Sequence, residues 1–340
     1  MDARAREPLE YALLIGQGRS GTNFLLSLLD QSPATHCRNE PDQLDRSAMS
    51  RFGEFRFFVR DAARLEAQFD DAVRETAHSV GPRDHMADVD KDWIVRGRRR
   101  PGYFYLRQRY RFVERLLRRR LPMDGRELWL PRWMVDHARL AKSFHVFKLN
   151  AAPGVGAWAL GARPGARVIQ IVRHPGGFAK SWLKRWVRGE GGMGRGQGNA
   201  DALRDEDRLR EVARLDPAWA RILGDVGAIG RAEGELLWWR YVNETLNRAG
   251  HGAPNYHLVL YEDLARDPLR VGRDVFGFCG LPWNDDVARR IGSIAGGAEK
   301  IARAWKDELE PELVALVEKV LHGSSMEHWW ARGEELHGAA

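Results

Sequence analysis

Arg19, Glu40, Lys148 and Arg173 are the side chains whose placement could do chemistry, because each stands at or just beyond the end of a segment that reads as a strand. Arg19 lies inside Gly16-Gln-Gly-Arg-Ser-Gly21, a turn-rich segment between the apolar run Tyr11–Ile15 and a second run, Thr22–Leu29, at helical spacing. This predicts strand, glycine loop and helix, the context a phosphate-binding loop requires. Gly16, Gly18 and Gly21 let backbone approach a ligand. Amides there and at the helix start would point at an anion, and Arg19 adds a fixed donor fork beside them. The loop lacks the Lys that follows the last glycine of a Walker A motif: Thr22 and Asn23 stand there instead.

Glu40 precedes Pro41, which favours extended backbone. With a strand beginning near Thr35, Glu40 falls past its end, on the ligand side of an α/β sheet, where a carboxylate can act as general base. Phe144–Leu149 is a short central strand, with Lys148 and Asn150 at its exit; lysine suits a phosphate or a developing negative charge. Val168–Val172 is a buried-strand pattern ended by Arg173. Pro175-Gly176 then turns the chain, and a helix from Phe178 carries Ser181. Arg173 and Ser181 together could grip one phosphate through a charged fork and a hydroxyl.

These positions need a scaffold of alternating strands and helices, and the chain supplies it. Asn255–Leu260 reads as another strand, followed by Tyr261-Glu262-Asp263-Leu264. Helices are expected at Leu236–Leu246, 269–279 and Pro311–Leu321, with a polar loop over Ser293–Asp307. The expected fold class is α/β, and the length allows one large domain or two smaller ones. Residues 61–145 are a mostly helical basic insertion. Ala62–Val80 has helical patterning, Arg96–Arg100 is almost all basic, Tyr103–Leu121 interleaves aromatic and basic residues, and Trp129–Met134 is a candidate acceptor lining. Residues 186–205, rich in glycine, suit a mobile loop.

The net charge of +7 favours anionic ligands without designating nucleic acid as a partner. Two cysteines, Cys37 and Cys279, imply neither a disulfide scaffold nor a cysteine-rich metal site. No apolar stretch is long enough to cross a bilayer and no signal peptide is evident, so the expected location is cytoplasmic, with peripheral membrane attachment through the basic insertion as a variant.

Three ordered motifs carry a resemblance. Gly16–Leu29, GQGRSGTNFLLSLL, is similar to the 5′-phosphosulfate loop of the PAPS-dependent sulfotransferases. Val168–Leu183, VIQIVRHPGGFAKSWL, resembles their 3′-phosphate motif, and Tyr256–Pro282 their late Tyr-Glu-Asp-Leu segment and following helix. Ala304–Val320 also looks familial. The resemblance implies a P-loop-like three-layer α/β sandwich around a mostly parallel sheet, in one domain spanning 1–340. It implies an enzyme that moves the sulfonyl group of PAPS to a hydroxyl or amine and releases 3′,5′-ADP, with no metal.

Carried over, Gly18, Arg19, Ser20, Gly21, Thr22 and Asn23 would hold the 5′ end. Arg173 and Ser181 would bind the 3′-phosphate, with Lys300 and Arg303 on a closing segment. Glu40 resembles the proposed base of some members, with His36 and His145 as rivals, and Arg19 and Lys148 would steady the leaving phosphate. Trp182 or a neighbouring aromatic would meet adenine. Two departures stand out: His174 replaces an acidic residue after Arg173, and Asn23 replaces the second Thr of the loop. The acceptor is expected to be a small molecule, lipid or glycan, with amphipathic character. The alternatives are a P-loop kinase acting on a small metabolite and a non-catalytic nucleotide or polyanion binder.

Overall fold

The computed structural model describes residues 9–44, 47–80, 89, 91–95, 135–187 and 205–330, with side chains of 183–187, 205 and 206 excluded. Five strands form the sheet: β1 (Tyr11–Gly16), β2 (Thr35–Asn39), β3 (Phe144–Asn150), β4 (Arg167–Val172) and β5 (Tyr256–Leu260). Their order is β2-β3-β1-β4-β5, and every pairing is parallel. A parallel sheet needs cover on both faces, so its strands read as continuous apolar runs. Strand β1 shows the division. Ala12 and Leu14 enter one core, while Tyr11, Leu13 and Ile15 enter the other.

The first face is covered by α1 (Thr22–Leu29), α9 (Tyr261–Arg266), α10 (Pro268–Cys279), α11 (Asp285–Ile294) and α12 (Ala298–Arg303), through residues such as Leu25, Leu264, Val275, Ile291 and Ala302. The opposite face packs against the 3-10 turn Ala48–Phe55, α2 (Ala62–Ala77) and α4 (Pro153–Ala162). The short α3 (His137–Ala141) leads into β3. A third, aromatic core holds Trp219, Trp238 and Trp239, from α7 (Pro217–Leu223) and α8 (Arg231–Gly250). It is closed by α5 (Pro175–Val187), α6 (Asp205–Leu215) and α14 (Pro311–Leu321), with α13 (Trp305–Glu308) just before the last of these.

The sheet thus lies between two helical layers, as expected for the three-layer α/β class. Both cysteines are buried and unpaired. The segment at 91–95 is pinned to the start of β2: the fully buried Lys91 ammonium forms an ion pair with the Asp30 carboxylate at 2.7 Å and donates to the carbonyls of Asp30 and Ser32.

Three expectations are corrected. Glu40, expected in extended backbone ahead of Pro41, takes the left-handed region at φ 53° and starts the 3-10 turn Pro41–Gln43. The helix expected from Phe178 begins at Pro175, because proline at the first helical position loses no hydrogen bond and already has helical φ. The polar loop expected over Ser293–Asp307 contains α12 and α13. These helices are only six and four residues long, too short for a helical period to register in sequence. Of the basic insertion, α2, α3 and a bridge between Ile94 and Val135 are described. Arg96–Arg100, Tyr103–Leu121, Trp129–Met134 and nearly all of the glycine-rich 186–205 lie outside the described residues.

Candidate active site

The strand order reverses at β1, which has β3 on one side and β4 on the other. Helices after neighbouring strands diverge there, opening a crevice at the carboxyl ends of the strands. All the candidate loops meet at this edge. The described residues other than glycine with φ in the left-handed region are Arg19 (75°), Glu40 (53°) and Ala151 (47°), and each follows the end of one of the three strands lining the crevice. Such conformations cost energy, and proteins tend to keep them where geometry serves a ligand.

The first loop turns tightly, with the Ser20 amide donating to the Gln17 carbonyl at 3.0 Å. Gly21, at φ 87°, begins α1 without any side-chain cap, so the first amides of the helix are left for another acceptor. A Cβ on Gly21 would sit 2.2 Å from the Tyr261 ring. The Arg173 guanidinium packs on the same ring, 4.6 Å from its centroid. Tyr261 is therefore the spacer between the Gly16–Asn23 loop and the end of β4. The link is closed twice more: an Nη of Arg173 donates to the Arg19 carbonyl at 3.3 Å, and Arg19 Nε donates to Ser181 Oγ at 2.9 Å. Sequence reading brought out the Tyr-Glu-Asp-Leu segment but gave Tyr261 no task. Its position directly after β5, at the ligand edge, was the available signal.

Arg173 is largely buried, and burial pushes its guanidinium below the ordinary arginine range. Its second Nη donates to the Ile301 carbonyl of α12 at 3.0 Å. Thus α12 reaches the site through backbone. Lys300 and Arg303 are exposed on that helix, and Arg303 pairs with Glu299 at 2.9 Å. Trp182 is half-buried against the aromatic core, and Trp305 instead stacks on His174.

The second group lies on the other side of the loop. The Lys148 ammonium donates to Glu40 Oε1 at 2.6 Å, Asn23 Oδ1 at 2.7 Å and Asn39 Oδ1 at 2.8 Å. Asn150 donates its amide to the same Glu40 Oε1 at 2.5 Å, and the Thr22 hydroxyl donates to Asn150 Oδ1 at 3.3 Å. Arg56 clamps the Asn150 carbonyl with Nε and Nη at 2.8 and 2.5 Å, holding the strained turn into Ala151. Burial lowers the Lys148 pKa, and the Glu40 carboxylate opposes that shift. Asp42, buried 3.6 Å from Arg56, has its carboxyl pushed up to about 6 by burial.

The rival bases His36 and His145 are not at this site. They are register partners on β2 and β3, as are Asn39 and Lys148. Alternation along a strand puts residues three apart on opposite faces. The histidines face each other with their Nδ1 atoms 3.1 Å apart, buried beside Trp93. Burial holds both well below the usual histidine pKa.

The crevice fits a ligand carrying separated anions. Ser20 Oγ and Arg173 Nε are buried polar atoms without a hydrogen-bond partner, and donors of this kind are satisfied by phosphate oxygens. With the uncapped α1 amides they form a donor cluster around Tyr261. Among the described residues no three His, Cys, Asp or Glu side chains are grouped as for a metal ion.

The solved structures similar to this chain include the sulfotransferase domain from the Synechococcus PCC 7002 olefin synthase. It is 16% identical, with 94% of this chain and 97% of that chain covered and a TM-score of 0.41. Mouse sulfotransferase SULT7A1, complexed with PAP, is 12% identical, covering 97% and 89% with a TM-score of 0.44. Carbohydrate sulfotransferase 3 of Homo sapiens is 30% identical over 144 residues, 36% of this chain; the matched stretch spans only 22% of the human protein. The family model described as "Sulfotransferase family" matches residues 12–285, from within β1 through β5 to the first residue of α11. That match takes in the loop at Gly16, the Glu40–Lys148 pair and Arg173 on its Tyr261 support, and by it the chain belongs to the sulfotransferase family.

Proposed function

We propose that the protein is a PAPS-dependent sulfotransferase that acts on a hydroxyl or amine of a small-molecule, lipid or glycan acceptor and releases 3′,5′-ADP. The observation that carries this reading is one connected donor cluster: the Gly21 turn and the Arg173 guanidinium both pack on the Tyr261 ring, Arg173 bonds the Arg19 carbonyl, and Arg19 bonds Ser181, while Ser20 Oγ and Arg173 Nε keep no partner. A nucleotide bearing anions at both ends of its ribose matches such a cluster better than one with a single phosphate group.

PAPS supplies an activated sulfonyl group whose leaving group is a phosphate. Arg19 and the amides of Gly18–Asn23 hold the 5′ end, where Ser20 Oγ gains the partner it lacks. Arg173 and Ser181 hold the 3′-phosphate, and Lys300 and Arg303 present charge from α12 at the rim. Glu40 takes the acceptor proton. Lys148 and Asn150 both bind its Oε1, which leaves Oε2 for the incoming hydroxyl or amine. Lys148, fixed by Asn23 and Asn39, places a buried positive charge where the leaving oxygen gains negative charge, and a preorganised charge there needs no rearrangement during transfer. Positioning and electrostatics carry the reaction, in the manner of phosphoryl transfer.

We further propose a cytoplasmic location, with peripheral membrane attachment as a variant, with which two buried, unpaired thiols are compatible. Among the described residues no helix is long and apolar enough to cross a membrane. The test is calorimetric titration with 3′,5′-ADP and 5′-AMP. The proposal expects 3′,5′-ADP to bind much more tightly, and equal affinities would sink it. Magnesium-dependent ATP consumption would point to the kinase alternative.

A further inference from the structure

We infer that the carboxyl-terminal segment Gly323–Trp330 is a working part of the nucleotide site, and that Trp330 is a positioning residue for Arg173, acting through Glu262. This rests on the reading of Arg173 as the 3′-phosphate ligand. The segment lies beyond the residues matched by the family model, and no sequence motif marks it.

The connection is short and continuous. The Trp330 indole N–H donates to Glu262 Oε2 at 2.9 Å, and Glu262 Oε1 accepts the His174 amide at 3.0 Å. His174 follows Arg173, so this carboxylate fixes the backbone on which the arginine is carried. Its neighbour Tyr261 supports the guanidinium itself. One dipeptide therefore holds Arg173 from two directions, by ring and by backbone, and Trp330 decides where the carboxylate half points. The Trp330 ring also packs edge-on against His174 at 5.0 Å and tilted against Trp239 at 6.4 Å.

The segment is anchored like a structural element. Arg240 donates to the carbonyls of Val320, His322 and Gly323; the Ser325 amide donates to Glu244 at 2.9 Å; and the Gly323 amide donates to Glu327 at 2.9 Å. These contacts deliver Trp330 to a fixed place. The titratable and charged groups facing Glu262 are Arg173, Tyr261 and His174, with Lys306 beyond His174. Burial raises the Glu262 carboxyl, and the indole and amide N–H groups hold it down.

Trp330→Phe keeps a ring against His174 and Trp239 and removes only the N–H. The expected result is about a tenfold loss of 3′,5′-ADP affinity, the size of one buried hydrogen bond to a charged group. Affinity for 5′-AMP stays within about twofold, and KM for PAPS rises while kcat at saturation holds. Deprived of one donor, Glu262 protonates at higher pH, so the acid limb of 3′,5′-ADP binding moves toward neutrality. Glu262→Gln offers a single oxygen and no charge to the two N–H donors, and loses the same preference. If Trp330→Phe folds with a wild-type melting profile yet keeps both the 3′,5′-ADP to 5′-AMP ratio and the acid limb of the parent, the inference is overturned. If the parent protein itself shows no preference for 3′,5′-ADP, it is the proposed function that fails, and the two failures are read from different samples.

Discussion

Glu40→Gln isolates the base from the rest of the site. Gln keeps the size of the side chain and can keep an oxygen where Lys148 and Asn150 now donate at 2.6 and 2.5 Å, so the left-handed turn at residue 40 is left in place. What disappears is a proton acceptor and one negative charge. General-base catalysis contributes on the order of 10²–10⁴ in rate, or roughly 3–5 kcal/mol of barrier at about 1.4 kcal/mol per decade. The variant should therefore lose that factor in kcat, while 3′,5′-ADP affinity stays within about threefold because Glu40 lies outside the donor cluster around Tyr261. The pH profile gives an independent sign. Burial lowers the Lys148 pKa and the Glu40 carboxylate raises it. Removing the carboxylate drops the ammonium pKa further, so the residual activity should lose its alkaline limb at lower pH than the parent. The assay is single-turnover sulfonyl transfer from labelled PAPS across pH, beside calorimetry with 3′,5′-ADP. A variant with kcat within about threefold of the parent, or with an unmoved alkaline limb, refutes Glu40 as base and as partner of Lys148.

Arg173→Ala should cost about 30–100-fold in 3′,5′-ADP affinity and little in 5′-AMP affinity, the size of a lost charged fork, measured by calorimetry. Gly21→Ala forces a Cβ to within 2.2 Å of the Tyr261 ring at φ 87°; the overpacking and the strained backbone together should destabilise by about 2–4 kcal/mol in urea denaturation and weaken nucleotide binding. The buried His36–His145 pair predicts acid sensitivity. Both histidines are held well below their unfolded pKa, so the unfolded chain takes up protons first as pH falls through the unfolded value near 6.5. The stability they contribute is fully present above that value and falls as pH drops below it. His145→Gln should lower the slope of stability against pH over that window, and an unchanged slope would contradict it.

Much of this site could be read in the chain because its parts are local. An apolar run, three glycines and a helical period place Arg19, and the same logic puts Arg173 at the end of β4 and Lys148 near the end of β3. Glu40 followed from the short strand before it, whereas the extended backbone expected ahead of Pro41 is absent, the residue standing at φ 53°. The contents of each loop were therefore legible, whereas the contacts between loops were not. Tyr261 becomes informative only when Gly21 lies against it, and the two are far apart in sequence. His36 and His145 stood near the right loops in sequence, and only the β2–β3 register shows them on the far face from Lys148. The α12 helix escaped notice because it is six residues long and starts at Gly297 with φ 79°. It also touches Arg173 through a carbonyl, and backbone contacts leave no residue-type signal.

The two departures from the family pattern have local answers that bear on how far such patterns can drift. An acidic residue after the strand-end arginine could cap the helix that follows. His174 does this as a neutral ring: its Nδ1 accepts the Gly176 amide at 3.0 Å, and burial pushes its pKa down to about 3, so the acceptor lone pair persists across the working pH range. Stacking on Trp305 at 4.3 Å holds the ring in that orientation. A charged imidazolium there would present a proton to an amide, and would add to Arg173 and Lys306. The neutral state is thus a condition of the substitution, and the tryptophans that desolvate the ring secure it. Asn23 in place of the second Thr brings a carbonyl oxygen that Lys148 takes at 2.7 Å, matched by Asn39 at 2.8 Å. Two amide oxygens and one carboxylate oxygen then surround a single ammonium, so its direction is fixed from three sides. The change trades a hydroxyl on the loop for tighter control of the lysine. Both exchanges keep what the site needs, an acceptor at the start of α5 and a fixed positive charge beside Glu40, while changing the residue that supplies it.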